Sequence, residues 1–272
     1  MPHYKVGDIV LRKSYGGDIK FVVSDIIRTE DRDGQYFLKG LVYRLAADAE
    51  EDDLIKIDVR NTNLNEQGRF NKYKNRFFLN QLFRYPFLFD RRRRRPGKIL
   101  HVDGSRSFLN SSMSYYRRIG LRPVGVYVDE PDQPQAARNL LTQHSPDIVV
   151  FTGHDGLRKG ATDTKSFDSY TYSRYYAQTV REARRYQPDP NKLFIYAGAC
   201  QSYYEEIVAA GATYASSPAR VLIHSLDPTI VAQRISTTEQ SKTITPQQAV
   251  RGTYAGTRGI GGVNTRGRLT FI

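Results

Sequence analysis

The chain has one cysteine, no tryptophan and two methionines in 272 residues. A single thiol, Cys200, makes no intramolecular disulfide and supplies no paired thiolates for a structural zinc or iron–sulfur site. Any chemistry it performs is that of a lone thiol. Long apolar runs are also missing. No stretch approaches the roughly 20 residues that cross a bilayer, and the start, MPHYKVGDIV, has no apolar signal-peptide core. Both absences speak against a membrane protein and against conventional secretion. His3, His101 and His144 have no partners at metal-ligand spacing, so the sequence contains no zinc motif.

Positive charge, by contrast, is plentiful, with 41 Lys plus Arg against 28 Asp plus Glu. The excess concentrates before residue 98, in a stretch that ends in Arg91-Arg92-Arg93-Arg94-Arg95 followed by Pro96-Gly97. Like charges repel and Pro-Gly ends regular structure, so this stretch reads as an exposed linker. Within it Phe70, Tyr73 and Phe77 lie among Arg69, Lys72, Lys74 and Arg76. Such a mixture can stack bases and bind phosphates, or it can anchor a helix. The i, i+3, i+7 spacing favours the packed helix and makes nucleic acid the lesser partner.

Composition divides the chain into three segments: residues 1–60, 61–97 and 98–272. The first carries strand-like runs, Val6 to Leu11, Ile19 to Ile27, Tyr36 to Tyr43 and Leu54 to Ile57. They are separated by Gly16-Gly17, Asp33-Gly34 and an acidic turn from Asp48 to Asp53. Four or five short strands suggest a small SH3-like β-barrel, or else a half-open meander. The second is the basic aromatic segment. The third alternates apolar runs (Ile99 to Val102, Val124 to Val128, Ile148 to Phe151, Leu193 to Tyr196) with helical patterns (Ser107 to Ile119, Gln133 to Gln143, Ser173 to Tyr186). Asp227 to Glu239 and Pro246 to Tyr254 are further helix candidates, and residues 260–272 read as a Gly-rich turn and a final strand. The order predicts an α/β fold, a three-layer domain on a mostly parallel sheet.

In such a sheet the functional site lies beyond the carboxyl ends of the strands. Asp147-Ile148-Val149-Val150-Phe151 leads into Thr152-Gly153-His154-Asp155-Gly156, and Lys192-Leu193-Phe194-Ile195-Tyr196 leads into Ala197-Gly198-Ala199-Cys200. If these strands are neighbours, an imidazole and the only thiol face each other across the sheet top, as a base and a nucleophile require. The Cys200 N–H, with an N–H from Asp155 or Gly156, would form an oxyanion hole. Against this stand the plainer alternatives of a buried structural Cys and a His bonded to backbone. The Gly-rich GTRGIGGVNTRG tail reads as a β-turn rather than a phosphate loop. His224 and Asp227 are close enough in sequence to serve as accessory site residues.

These blocks resemble the caspase-like cysteine peptidases and, within them, the sporulation-specific YabG peptidases. The likeness rests on KVGDIVLRKSYGGDIKFVV, TGHDG, YAGACQS, the Val221 to Pro228 segment and GIGGVNTRG, and so covers nearly the whole chain. The resemblance implies a caspase-like domain and a cysteine endopeptidase that processes spore coat and spore-assembly proteins and cuts after Arg. It implies His154 as base and Cys200 as nucleophile, with no cofactor, and a location in the mother-cell cytoplasm and the forming coat. Oligomeric state stays open. Two departures matter. Asp155 stands directly after His154, with Gly156 one further on, and Gly198 stands where Arg-directed relatives carry an acid before the cysteine. The acidic floor of an Arg pocket must then come from Asp155, Asp163, Asp168, Glu205, Glu206 or Asp227, with Asp155 and Asp227 first. N-cap or surface roles compete for each. Five consecutive arginines in an Arg-directed protease also predict self-cleavage near Arg91 to Arg95.

Overall fold

Two sheets organise the chain, and their order follows from how the apolar residues alternate. The computed structural model describes residues 3–29, 32–57 and 94–271. The first sheet is antiparallel. Its strands are β1 (Ile9–Arg12), β2 (Lys20–Thr29), β3 (Arg32–Gly40), β4 (Ala46–Glu50) and β5 (Leu54–Lys56), in the spatial order β4-β3-β2-β1-β5. One face is dry, with Val10, Phe21, Val23, Tyr36 and Leu38 fully buried, as period-two alternation dictates.

The second sheet has six strands: β7 (Ile99–Asp103), β8 (Val124–Tyr127), β9 (Ile148–Thr152), β10 (Phe194–Ala197), β11 (Tyr214–Ser216) and β13 (Ile260–Gly262). Their order is β13-β11-β10-β9-β7-β8, parallel except for β13. Strands β7, β9 and β10 are buried on both faces, which is why they read as continuous apolar runs. Alternate residues point to opposite layers. Ile148, Val150, Phe194 and Tyr196 pack with helices α1 (Arg106–Arg118) and α5 (Asp227–Thr237). Val149, Phe151 and Ile195 pack with α2 (Gln133–His144), α3 (Ser173–Tyr186) and α4 (Tyr204–Ala209). In α3 the stripe Tyr176, Val180 and Ala183 is buried. Short elements complete the chain: β6 (Arg94–Arg95) pairs with β15 (Thr270–Phe271), and β12 (Thr243–Ile244) with β14 (Thr265–Arg266). Two single turns of helix are α6 (Pro246–Ala249) and α7 (Gly256–Gly259). No described helix is long and apolar enough to cross a membrane.

Several expectations shift. The acidic turn is partly strand, because Ala46, Ala47 and Ala49 turn inward against β3 and leave Asp48 and Glu50 outside. The strand-like run to Tyr43 stops pairing within its own sheet at Gly40. Helix α6 ends at Ala249, well before Tyr254. Helix α4 and strand β11 were not anticipated. The helix expected around Phe70, Tyr73 and Phe77, and Arg91 to Arg93 of the arginine run, lie outside the described residues. One apolar cluster joins the sheets: Leu45, Ala47 and Phe21 belong to the same core as Cys200, Ile223 and Ile230.

Candidate active site

Strands β9 and β10 are adjacent and parallel, with Phe151 opposite Ala197. His154 and Cys200 each lie three residues beyond that pair, so the strand ends deliver both to the same edge. Around Cys200 the chain turns sharply, with Gly198 at φ 104° and Gln201 at φ 52°. A side chain at Gly198 would be strained by that φ and crowded by the Ser216 carbonyl at 3.1 Å. The Cys200 thiol is fully buried. Its Sγ accepts from the Ile223 N–H at 3.0 Å and lies 3.5 Å from the Ile223 carbonyl. Burial pushes the thiol pKa up, so the resting group is protonated.

His154 is held on three sides. Nε2 lies 3.2 Å from the Gly40 carbonyl, which can only accept, so Nε2 carries a proton. The ring stacks on Phe108 at 5.0 Å. The backbone N–H donates to Glu130 Oε1 at 2.7 Å, and the same oxygen lies 3.7 Å from Nδ1. Nδ1 itself has no hydrogen-bond partner among the described residues. Glu130 fits because its neighbours are glycines: a Cβ at Gly104 or Gly153 would lie 2.3 Å or 2.2 Å from its carboxyl group.

The loop between β3 and β4 enters this edge. The Arg44 carbonyl accepts from the N–H of Asp155 at 3.0 Å and from that of Cys200 at 3.2 Å. The Arg44 N–H donates to the Ile223 carbonyl at 2.9 Å, and the Ser225 N–H donates to the Val42 carbonyl at 3.0 Å. This forms an antiparallel bridge between Tyr43 and His224. On the far side the Ala46 N–H donates to the Asp155 carbonyl at 2.8 Å. Gly156 is required there, since a Cβ would fall 2.0 Å from the Ala46 oxygen.

The Arg44 side chain is fully buried and ends on Asp103, the last residue of β7. Nη1 reaches Oδ1 at 3.2 Å and Nη2 reaches Oδ2 at 3.0 Å, a two-pronged pair. Nε and Nη2 also donate to the Ser225 carbonyl, Nη1 to that of Gly153, and the guanidinium lies over Phe108. Burial alone would raise the Asp103 pKa, but the Arg44 charge outweighs it and, with His101, holds the carboxyl well below its ordinary range.

The carboxylates expected to floor an Arg pocket hold other partners. Asp155 accepts from Ser173 and Ser202 hydroxyls and from the N–H groups of Tyr172 and Gly156, so the Gly156 N–H is turned away from the Arg44 carbonyl. Asp227 accepts from the N–H groups of His224, Tyr254 and Ala255. Burial without a charge partner pushes both carboxyls up to about 6. Asp163, Asp168 and Glu205 are exposed, and Glu206 is half-buried. His224 packs edge-on to Tyr43, and its Nδ1 accepts from the Leu226 N–H. Sequence reasoning passed over Arg44, Asp103 and Glu130. Asp103-Gly104 carries the same strand-end and glycine signature as Gly153-His154, a signal that was available. Arg44 carries none.

A sheet edge that gathers a thiol, an imidazole, two converging amides and a carboxylate-floored slot filled by a bridged segment of the chain has the make-up of a peptidase cleft. Comparison with known proteins agrees. Residues 5–271 match the family described as YabG peptidase U57. The chain is also 32% identical over 282 residues to the sporulation-specific protease YabG of Bacillus subtilis (strain 168), covering 98% of this chain and 96% of that protein. No solved structure matches. The chain belongs to the YabG peptidase family and is a protease.

Proposed function

We propose that the protein is a cysteine endopeptidase that cuts after arginine, acting during sporulation on spore coat and spore-assembly proteins in the mother-cell cytoplasm and the forming coat. One observation carries the proposal: an arginine seated with its guanidinium on Asp103 and its carbonyl oxygen on the Cys200 and Asp155 amides. The two amides are an oxyanion hole for the arginine carbonyl, and Asp103 is the pocket floor. Residues 98–272 form a caspase-like peptidase domain, residues 1–60 an SH3-like barrel, and residues 61–97 the segment between them. The β5-β1-β2-β3-β4 order of the first sheet supports the barrel.

In the reaction His154 takes the Cys200 proton and the thiolate adds to the arginine carbonyl carbon, with the charge on oxygen held by the two amides. As the C–N bond breaks, His154 returns the proton to the departing amine. Water, deprotonated by His154, then hydrolyses the thioester and frees Cys200. Because Nε2–H is held on Gly40, Nδ1 carries the lone pair for these transfers. No step requires a cofactor. The chain's own arginine run is a substrate of the same kind, with a cut near Arg91 to Arg95.

The test is cleavage of peptides differing only in the residue before the scissile bond. Cleavage after Arg, lost in folded Cys200→Ala and His154→Ala, is the expected result. Persistent cleavage by Cys200→Ala overturns the dyad, and equal cleavage after Leu and Arg overturns the specificity. Intact mass after incubation checks the self-cleavage.

A further inference from the structure

The β3–β4 loop meets the cleft as a substrate would. Val42, Tyr43 and Arg44 run antiparallel to residues 223–225 through two backbone hydrogen bonds, the Arg44 carbonyl rests on the paired amides, and Leu45 and Ala46 continue past Asp155. Arg44 and Leu45 are buried along with Cys200, so a peptide from another protein cannot reach the thiol while this loop is docked.

Resting on the proposed Arg-directed activity, we infer that this loop is an intramolecular inhibitor whose Arg44 fills the specificity pocket in place of a substrate arginine. The first sheet is then a regulatory element, and its hairpin is built to stay docked. Both flanks of the Arg44–Leu45 bond are fixed: the Gly40 N–H donates to the Leu45 carbonyl at 2.8 Å, closing the loop neck, and Lys39 and Ala46 are paired in the sheet. Two further contacts tie the same hairpin to the catalytic side. The Gly40 carbonyl accepts the hydrogen bond from His154 Nε2–H, and Lys39 Nζ lies 3.5 Å from Glu130 Oε2. A loop whose ends are already in register pays little entropy to bind, and it competes with every external peptide at a very high effective concentration.

Arg44→Ala empties the pocket while keeping the cleft. Because a mostly occupied site lowers apparent affinity by the fraction of molecules that are open, kcat/KM for an arginyl peptide rises by about tenfold or more. Agmatine, a small guanidinium compound, raises the melting temperature of Arg44→Ala by pairing with Asp103 and leaves wild type unmoved. If Arg44→Ala does not fold, Arg44→Lys keeps the charge but loses the two-pronged pairing, and the same rise in kcat/KM is read on it. Equal kcat/KM in wild type and variant, with agmatine stabilising both or neither, overturns the inhibitor and leaves the Arg-directed activity standing. If neither wild type nor any Arg44 variant cleaves arginyl peptides, the activity itself fails. Selective stabilisation of Arg44→Ala by agmatine in that case still supports Arg44 as the pocket's occupant.

Discussion

Two neighbouring strand ends each carry a fully buried aspartate, and the two behave in opposite ways. Asp103, at the end of β7, faces a guanidinium and stays ionised far below the ordinary carboxylate range; Asp155, just past β9, faces two hydroxyls and two amides, and burial pushes it up to about 6. The Arg44 guanidinium, with His101 and the Ser105 N–H beside it, offsets burial at Asp103, whereas the four neutral hydrogen bonds of Asp155 do not. The difference separates two jobs. Asp155 ties the turn after His154 to the turn after Cys200 through Ser173 and Ser202, whereas Asp103 is built for a cation.

The comparison breaks most sharply in Asp103→Asn. Removing one partner of a buried ion pair strands the other, so folding stability falls by about 3–5 kcal/mol. Cleavage after arginine falls by at least ~100-fold in kcat/KM, since a site made to pair a polar group rejects what it cannot pair. Asp155→Asn keeps the preference for arginine. Denaturant midpoints and peptide profiles of both variants decide the matter. If Asp155→Asn loses the preference and Asp103→Asn keeps it, the assignment of the pocket floor is reversed.

A smaller effect separates the two aspartates by pH. For Asp155 the folded pKa is raised, so its contribution to stability is fully present below its unfolded value near 3.8 and is lost as pH rises through about 6. For Asp103 the folded pKa is depressed, so its contribution is present above 3.8 and is lost only as pH falls toward that low folded value. Between pH 4 and 7, wild type should lose on the order of 3 kcal/mol relative to Asp155→Asn. Urea midpoints measured across that range give the difference directly. A flat difference would show that Asp155 is ionised without cost.

Much of this site could be read from sequence, and the rest was hidden for a definite reason. Continuous apolar runs ending in glycine marked β9 and β10, so the placement of His154 and Cys200 on one edge followed once the strands proved adjacent. Leu41-Val42-Tyr43 also read as strand, but the chain bends at Leu41 and Val42 and only Tyr43 pairs, through an isolated bridge. Its partner is the segment at 223–225 rather than a strand of its own sheet, and periodicity reports extension without naming the partner. Arg44 was therefore invisible as a ligand. Asp227 drew attention by following the apolar run Val221 to Ile223, which forms no strand; the segment pairs with the loop only at the Tyr43–His224 bridge and its two flanking hydrogen bonds. The Asp227 carboxylate, on the first residue of α5, does not cap that helix but collects the backbone amides of His224, Tyr254 and Ala255.

Glu130 gives the finest test, because it sits between the two regions and touches neither Arg44 nor a bound peptide. Its carboxylate holds the His154 backbone N–H at 2.7 Å and lies 3.7 Å from Nδ1, with Lys39 on its other oxygen. In the proposed mechanism, a charge so placed would steady the imidazolium formed when His154 takes the thiol proton. Glu130→Gln keeps an oxygen for the backbone N–H and removes the charge, so the fold survives and the base is weakened. The expected result is a fall of about tenfold in kcat with KM unchanged, while a purely structural role would lower the melting temperature and leave kcat of the folded fraction intact. Glu130→Asp retains charge but, being one methylene shorter, draws back from His154 and should recover only part of the rate. A kcat equal to wild type in Glu130→Gln would confine Glu130 to holding the turn and leave His154 oriented by Gly40 and Phe108 alone.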